Sequence, residues 1–443
     1  MYFMQFAQHF TYKKILKASV SPVIMMIFTS LYSVVDGLFL SNFAGKDAFA
    51  AVGFITPYLM MFNSVGFMFG TGGSALIAKK LGENSKKDAD EIFTTLVLSS
   101  ALIGIVLTVL GQLLLRPAAL LQGAEGILLE NSLQYGRIYL LGTSACIIQF
   151  EFQALYATSG KSKLGLISAV VSGLMNIVLD ALFLAGFHWG ITGAAVATVL
   201  SQLFGGIFPL IYYGRRNSSF LRFVKGRFHG RDLMKICANG SSEMVNNISL
   251  SVVSLFYNIQ LIKYAGSDGI AAYGVMSYVN FLFTAVFWGY ISGIAPIISF
   301  HYGAKNHPEL KSLLKKSLVL VSSCSGIMFI LSEVLAKPIS VIFAGYAPEL
   351  MEMTIHGFRL FAFYFLFAGL SIFFSSFFTA LNNGLISAIL SASRVFLFQI
   401  PLVLTLPLAW ELDGIWLSVG AAELLCTLMG IVFLLANRKK YGY

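Results

Sequence analysis

The chain has 443 residues, of which 57% are hydrophobic and only 11% are charged, and its mean hydropathy is +0.79. A typical soluble domain carries about 25% charged residues, so this composition excludes a soluble enzyme, a nucleic-acid-binding protein and a disordered scaffold. The net charge of +10 is therefore interpreted as loop charge that sets the orientation of a membrane protein.

Twelve stretches are long and apolar enough to cross a bilayer, which requires about 20 apolar residues per helix. They predict an all-α polytopic membrane protein with twelve transmembrane helices. Because twelve is even, both termini are expected on the same side. The predicted spans are residues 15–41, 48–78, 91–115, 134–158, 164–186, 190–213, 234–263, 270–300, 313–335, 352–381, 385–410 and 414–436.

The basic residues of the predicted loops are distributed unequally between the two sides. Of the 30 lysine and arginine residues, 23 lie in segments on the side of the N-terminus and 4 lie on the opposite side. Cytoplasmic loops carry an excess of Lys and Arg. Both termini are therefore predicted to be cytoplasmic.

The second half of the sequence repeats the first at a constant offset of half the chain length. Phe43–Asp47 resembles Tyr264–Asp268 at this offset, and Gly165–Ala169 recurs as Gly384–Ala388 at nearly the same one. Several glycines also repeat at the constant offset: Gly72 with Gly293, Gly82 with Gly303, and Gly193 with Gly414. The shared offset predicts a duplication in which each half has six helices.

This repeat predicts an N-terminal six-helix bundle (1–213), a basic cytoplasmic linker (214–232) and a C-terminal six-helix bundle (233–443). Because six is even, both halves enter the membrane from the same side and are parallel repeats. Two parallel, pseudo-symmetric bundles around a central cavity are typical of a carrier that alternates between inward-open and outward-open states. A duplicated channel or a membrane-embedded enzyme is the alternative.

Ionisable residues inside the spans are functional candidates, because charged groups are costly in a bilayer. One polar set occupies similar heights in the outer part of the N-terminal half. It comprises Asp36 in span 1, Asn176 and Asp180 in span 5, and Thr198 and Gln202 in span 6. If these spans adjoin, their oxygen atoms suit a proton or a hard cation such as Na⁺. Two neighbouring carboxylates in a low dielectric cannot both ionise cheaply, which favours ion coupling here.

A second set of polar residues is predicted to line the substrate cavity and attract cations. It comprises Glu243 in span 7, Glu423 in span 12, and Glu151 and Gln153 in span 4. Glu151 could instead pair with a basic group at the cytoplasmic rim. The arginines are interpreted as lying near span ends, so the buried charge is mostly acidic and favours cationic cargo.

Motifs that carry enzyme chemistry are absent from the sequence. There is no GxxxxGK[ST], HExxH or GxSxG motif, and the four cysteines form no CxxC pair. These motifs would indicate nucleotide, zinc or nucleophile sites. We therefore predict a protein that is not an enzyme and needs no cofactor, whose energy comes from an ion gradient or from a partner.

Four stretches resemble motifs of the multidrug and toxic compound extrusion (MATE) family, and the resemblance extends over essentially the whole chain. Ser33–Phe39 resembles the acidic motif of the first helix, and Gly45–Gly53 resembles the loop into helix 2. Asn176–Asp180 closely resembles the helix 5 motif, and Gly193–Thr198 resembles the entry to helix 6.

The resemblance implies export of small organic cations and amphipathic drugs in exchange for inward H⁺ or Na⁺. It implies a coupling site at the positions of Asp36, Asn176, Asp180 and Thr198, with Na⁺ as one candidate ion. Gln153 stands where an Asn is expected on helix 4. Another branch uses an acidic residue in helix 10, but span 10 has only Glu352 near its outer start.

The same resemblance implies a protein of the prokaryotic plasma membrane, and we expect a monomer that contacts the lipid bilayer and no nucleic acid. A lipid-linked oligosaccharide flippase of the same superfamily is the main alternative function. Such a flippase would need a cavity lined by cations to hold pyrophosphate.

Overall fold

A computed structural model describes residues 6–345 and 347–443. This part of the chain is almost entirely helical and contains no β-strand. Its α-helices are α1 (Tyr12–Phe39), α2 (Lys46–Gly82), α3 (Lys86–Leu121), α4 (Gly126–Leu141), α5 (Thr143–Thr158), α6 (Ser162–Asp180), α7 (Gly190–Gly214), α8 (Gly230–Gly303), α9 (His307–Ala344), α10 (Pro348–Ala380), α11 (Gly384–Ala392), α12 (Ile400–Thr405) and α13 (Pro407–Tyr441). Three π-helical segments follow α1, α6 and α11: Leu40–Ala44, Ala181–Gly186 and Ser393–Gln399.

Within the described residues, ten helical segments are long and apolar enough to span a membrane, and the bent pair α4 and α5 makes an eleventh. The 74-residue α8 is too long for one crossing, because a helix rises about 1.5 Å per residue. It is broken at Gly266, which has φ 60° and ψ −146°, a conformation open mainly to glycine. The two parts of α8 correspond to predicted spans 7 and 8. The predicted all-α polytopic fold is confirmed.

The predicted span 4 (134–158) differs from the structure. Its helix begins earlier, at Gly126, and bends by 63° between α4 and α5. Polar residues such as Glu130 lower the hydropathy of the first turns, so a hydropathy pattern starts the span too late. The break between spans 11 and 12 falls at Trp410 and Glu411, where the backbone leaves the helical region. Trp410 is the last residue of the predicted span 11, and Glu411 is the first residue of the predicted gap.

Apolar side chains are exposed along one face of the longer helices. On α3, five of them are each more than half exposed: Leu98, Leu102, Ile105, Val109 and Leu113. They recur every three or four residues and so form one stripe, whereas Leu96 and Ser100 on another face are fully buried. An apolar outer face around a partly polar interior is the arrangement that a lipid environment requires.

The N-terminal segment, the linker and the C-terminus meet at one end of the molecule, here called the linker end. Three contacts join them: Phe6 with Phe220 (ring centroids 5.3 Å apart), His9 Nδ1 with Glu309 Oε2 (2.6 Å), and His307 Nδ1 with the Tyr441 carbonyl oxygen (3.0 Å). Both ends of the described chain therefore lie on the same side of the helical assembly.

Helices α2 and α8 also cross at the linker end, and they lie so close together there that no side chain fits between them at two glycines. A Cβ atom on Gly82 would collide with the carbonyl oxygen of Phe300, and one on Gly303 would collide with the carbonyl oxygen of Lys79. Gly82 and Gly303 are counterparts in the internal repeat, and so are Lys79 and Phe300. The repeat in the sequence is thus matched by a reciprocal contact, which closes the first and second halves of the chain against each other.

Candidate functional site

Asp36 and Asp180 bring their carboxyl groups together between α1 and α6. Asp36 is half-buried near the end of α1, and Asp180 is the last residue of α6 and is fully buried. Each helix continues into a π-helical segment within a few residues, a feature frequent at functional sites. The predicted convergence of spans 1 and 5 is thus present in the structure.

We call Asp36 and Asp180 the carboxyl site. In the described part of the chain, no basic side chain belongs to this site. No described ion pair involves either aspartate, and no hydrogen-bond donor there reaches the Asp180 oxygens. Two ionised carboxylates in contact would repel each other strongly in a low dielectric. The pair can therefore share a proton or enclose a cation.

Asn176 and Thr198 border the carboxyl site. Asn176 is 2% exposed and lies beside Asp36, and its Nδ2 atom has no partner among the described residues. The Thr198 hydroxyl donates to the Ala194 carbonyl oxygen at 2.9 Å and lies next to Tyr135. Amide and hydroxyl oxygens of this kind are ligands that hard cations accept.

Sequence reasoning missed the tyrosines of α4. Tyr135 lies close to Asp36, Asp180 and Thr198, and its ring stacks on that of Tyr139 at 5.8 Å. The two tyrosines are four residues apart, so they share a helix face. The four-residue spacing of the two tyrosines is the signal in the sequence that indicates a shared face. The search for candidate residues considered ionisable groups inside the spans and did not include tyrosines.

The Tyr139 hydroxyl links three helices beside the carboxyl site. It accepts hydrogen bonds from Asn63 Nδ2 at 2.8 Å and from Gln202 Nε2 at 3.0 Å. Asn63 is fully buried on α2, and Gln202 lies on α7. The contacts of Gln202 thus run through Tyr139, on the border of the site.

A second buried polar cluster, here called the arginine site, lies in the C-terminal half. Glu423 on α13 is fully buried, and its Oε1 atom is 2.5 Å from Nη2 and 2.6 Å from Nε of Arg394. Ser371 donates a hydrogen bond to the other carboxylate oxygen, and Gln399 Nε2 donates to Oε1 at 3.3 Å. Arg394 also lies 3.5 Å from the Tyr364 hydroxyl.

The arginine site corrects one interpretation of the sequence. Arg394 does not lie near a span end: it occupies the π-helical segment in the middle of the predicted span 11. Its guanidinium pairs with Glu423, and Glu243 lies near enough for its charge to interact with Arg394. No pattern in the sequence indicates this pairing, because Arg394 and Glu423 are far apart along the chain and lie on different helical segments.

Glu151 and Gln153, two residues apart on α5, face different surroundings. Glu151 is fully buried beside Ser100, and neither of its carboxyl oxygens has a partner in the described residues. Gln153 lines a cavity of about 20 Å³ with Thr29, Tyr32 and Gln149, which is room for about one water molecule. No basic group pairs with Glu151 in the described part of the chain.

Taken together, the spanning helices and the buried polar sites define a multi-pass α-helical membrane protein with its charged groups inside. The sequence profile of the MatE family matches residues 22–182 and 244–405, so the chain belongs to the MatE family. Members of this family are transporters, and the predicted family is confirmed.

Individual relatives match nearly the full length of the chain. The multidrug export protein MepA of Staphylococcus haemolyticus is 24% identical over 437 residues, which cover 97% of this chain and 96% of that protein. A crystal structure of a MATE transporter in complex with MaL6 superposes with a TM-score of 0.92 at 20% identity, covering 99% and 98% of the two chains. A transporter of the MOP superfamily from Pyrococcus furiosus, described as having a binding pocket of reversed polarity, has a TM-score of 0.91 at 20% identity, with 100% and 99% covered.

Proposed function

We propose that the protein is a secondary active multidrug exporter that expels cationic and amphipathic compounds in exchange for inward H⁺ or Na⁺. The contact between the Asp36 and Asp180 carboxyl groups is the observation that carries this proposal. A carboxyl pair without a basic partner changes its net charge when it binds or releases a cation. The multidrug export role of the MepA relatives supports the same function.

Helix α1 connects the carboxyl site to the second half of the protein, so an ion bound at the site can affect the contact between the two halves. Near its start, the α1 backbone at Pro22 and Val23 packs directly against Gly289 of α8. Near its other end, Asp36 faces α6 of the first half. Pro22 removes one backbone hydrogen bond from the helix, which eases bending. Ion binding at Asp36 would change the shape of α1 and thereby its contact with α8.

This mechanism implies that an N-terminal bundle (1–213) and a C-terminal bundle (233–443) rock against each other around a central cavity, joined by the linker (214–232). Ion entry at the carboxyl site would repack α1, narrow the cavity and release the substrate outward. Alternating access of this kind is typical of transporters built from two parallel repeats.

The charges inside the protein support a cationic cargo. A flippase for pyrophosphate-linked sugars needs basic side chains that are free to bind the anion. The Arg394 side chain is 15% exposed within a predicted membrane span and is already neutralised by Glu423. The Pyrococcus furiosus neighbour is described as having a pocket of reversed polarity, so the fold alone does not determine the charge of the cargo.

We further propose that the linker end lies in the cytoplasm of a prokaryotic cell, which would make this structure a state closed to the cytoplasm. In a cysteine-free variant, a membrane-impermeant maleimide should label Glu125→Cys in intact cells. It should label Arg216→Cys only after the cells are permeabilised. The reverse pattern would overturn the orientation.

Efflux of a fluorescent organic cation from liposomes, under separately imposed pH and Na⁺ gradients, tests the function. One gradient should drive efflux, and Asp36→Asn should abolish that response. Asp47→Asn removes an exposed carboxylate at the start of α2 and should keep the response. Gradient-driven efflux that survives Asp36→Asn would refute the coupling mechanism, and absence of substrate counterflow would indicate a channel.

A further inference from the structure

The internal repeat assigns a counterpart in the second half to both residues of the carboxyl site and to Gln202, which lies beside it. At the constant offset Asp36 corresponds to Tyr257 and Gln202 to Glu423, and at the offset that relates Gly165 to Gly384, Asp180 corresponds to Gln399. The reciprocal contacts of Gly82 and Gly303 show that the repeat also relates the two halves in space. The counterparts therefore belong to equivalent places in the two halves.

The two equivalent places differ in their charges. The first half holds two carboxyl groups in contact and no basic partner among the described residues. In the second half both aspartates are replaced by neutral residues, Tyr257 and Gln399, and the carboxylate of Glu423 stands where the first half has Gln202. Gln399 donates a hydrogen bond to Glu423 at 3.3 Å, so the counterparts of Asp180 and Gln202 are in contact.

The second half also contains a cation that the first half lacks in the described residues of its site. Two guanidinium nitrogens of Arg394 lie 2.5 and 2.6 Å from one Glu423 oxygen, and Ser371 donates to the other oxygen. Arginine stays charged at all physiological pH values. The charge of the Glu423 carboxylate is thus neutralised by a side chain of the protein and not by an exchangeable ion.

We propose that Arg394 is a permanent cation in the second half at the place that corresponds to the exchangeable-ion site of the first half. The inference rests on the proposed coupling role of Asp36 and Asp180. The proposal restricts ion exchange to the first half. Arg394 is then a positioning residue that keeps Glu423 ionised and prevents it from binding the exchangeable ion. The net charge of the Arg394–Glu423 pair then stays constant during transport, while that of the Asp36–Asp180 pair changes.

The other groups around this pair are consistent with a fixed charge. Tyr257, Tyr364 and Cys426 face Glu423 from α8, α10 and α13, and all three are buried. Glu243 on α8 is also near enough for its charge to interact with Arg394. Apart from Arg394, no basic side chain among the described residues pairs with either glutamate.

Infrared difference spectroscopy of the full-length protein tests the proposal directly. The variants are Arg394→Gln, Arg394→Lys and the double variant Arg394→Gln/Glu423→Gln. A buried carboxylate without its counter-charge takes up a proton, so Arg394→Gln should gain one protonated-carboxyl band that titrates with pH. The band should be absent from the parent, from Arg394→Lys, where the charge is kept, and from the double variant.

The number of ions moved per substrate, measured from the zero-flux potential in liposomes, gives a second readout. Arg394→Gln should require one more cation per substrate than the parent, and the double variant should return to the parent value. An unchanged spectrum and ion count in a folded Arg394→Gln variant would overturn the proposal. Loss of ion-driven efflux in a folded double variant would also overturn it, because the exchangeable site would then lie in the second half.

Failure of the proposed function is a separate outcome. If Asp36→Asn keeps gradient-driven efflux, the coupling role of the first half is wrong. The carboxyl band of Arg394→Gln then still reports whether Arg394 holds Glu423 ionised. A melting temperature for each variant separates these results from a failure to fold.

Discussion

Gly82 of α2 lies so close to Phe300 of α8 that the carbonyl oxygen of Phe300 occupies the space that a Cβ atom would need. Replacing Gly82 with alanine should therefore force the two helices apart at the linker end. Overpacking of a tight contact costs about 1–3 kcal/mol, which lowers the ratio of closed to open molecules by roughly five-fold to more than a hundred-fold. Distances between spin labels at residues 87 and 311, measured in a cysteine-free variant, should increase.

The control for this experiment is Gly53→Ala on the same helix, where no atom lies within 4 Å of the added Cβ. That variant should keep the distance distribution of the parent, and alanine is also a better helix former than glycine. Gly303→Ala, the reciprocal position, should behave as Gly82→Ala does. A distance unchanged in both tight variants would show that closure does not depend on this crossing.

Tyr139→Phe should destabilise the protein, because it removes the acceptor that two amide groups share. Asn63 is fully buried and would keep a donor without a partner, as would Gln202. Each unsatisfied buried donor costs about 1–3 kcal/mol. The melting temperature in detergent should fall relative to Tyr12→Phe, which loses a hydroxyl from a 44% exposed ring. Equal melting temperatures would contradict the structural role of this hydroxyl.

The docking of the linker on α3 should weaken as the pH rises. His229 lies 2.8 Å from Glu91 and 3.1 Å from Asp232, and the hydrogen bond to Glu91 is the main cause that raises the pKa of His229 above its usual 6.5. A raised pKa means that the folded state binds the proton more tightly than the unfolded state. The stabilisation is therefore complete below pH 6.5 and is lost as the pH passes the raised pKa.

Hydrogen exchange of residues 220–229, followed across this pH range, measures the effect. After correction for intrinsic exchange, protection should decrease with rising pH in the parent. It should be low and independent of pH in His229→Gln, which cannot carry the charge. A parent whose protection does not change with pH would exclude His229 as the group that holds the linker.

Glu151→Gln should leave the protein at least as stable as the parent. Glu151 is fully buried without a described partner, and the neighbouring Ser100 hydroxyl donates instead to Leu96 at 3.0 Å. An unpaired buried carboxylate is costly, whereas glutamine has nearly the same shape and no charge. Thermal unfolding, with the exposed Glu130→Gln as the control, measures the difference. Loss of efflux at unchanged stability would instead support the predicted cavity role of Glu151.

The carboxyl site was predictable because its members follow simple rules of depth and spacing. Asn176 and Asp180 are four residues apart on one helix, and their heights match that of Asp36 once the direction of each span is known. Tyr135 escaped the same reasoning, because tyrosine is common in membrane helices and gains meaning only through its neighbours. The bend between α4 and α5 also shifted the predicted start of that span.

By itself, the sequence determined the membrane environment, the helical class, the duplication and the candidate acidic groups, because hydropathy, charge distribution and repeats are properties of the linear chain. Only the tertiary structure decided which charges are neutralised. Arg394 and Glu423 are two isolated charges in the sequence, and they become one ion pair because α13 packs against the π-helical segment that follows α11. Asp36 and Asp180 meet without a basic partner among the described residues, since pairing depends on which helix faces touch, and linear spacing does not encode that contact.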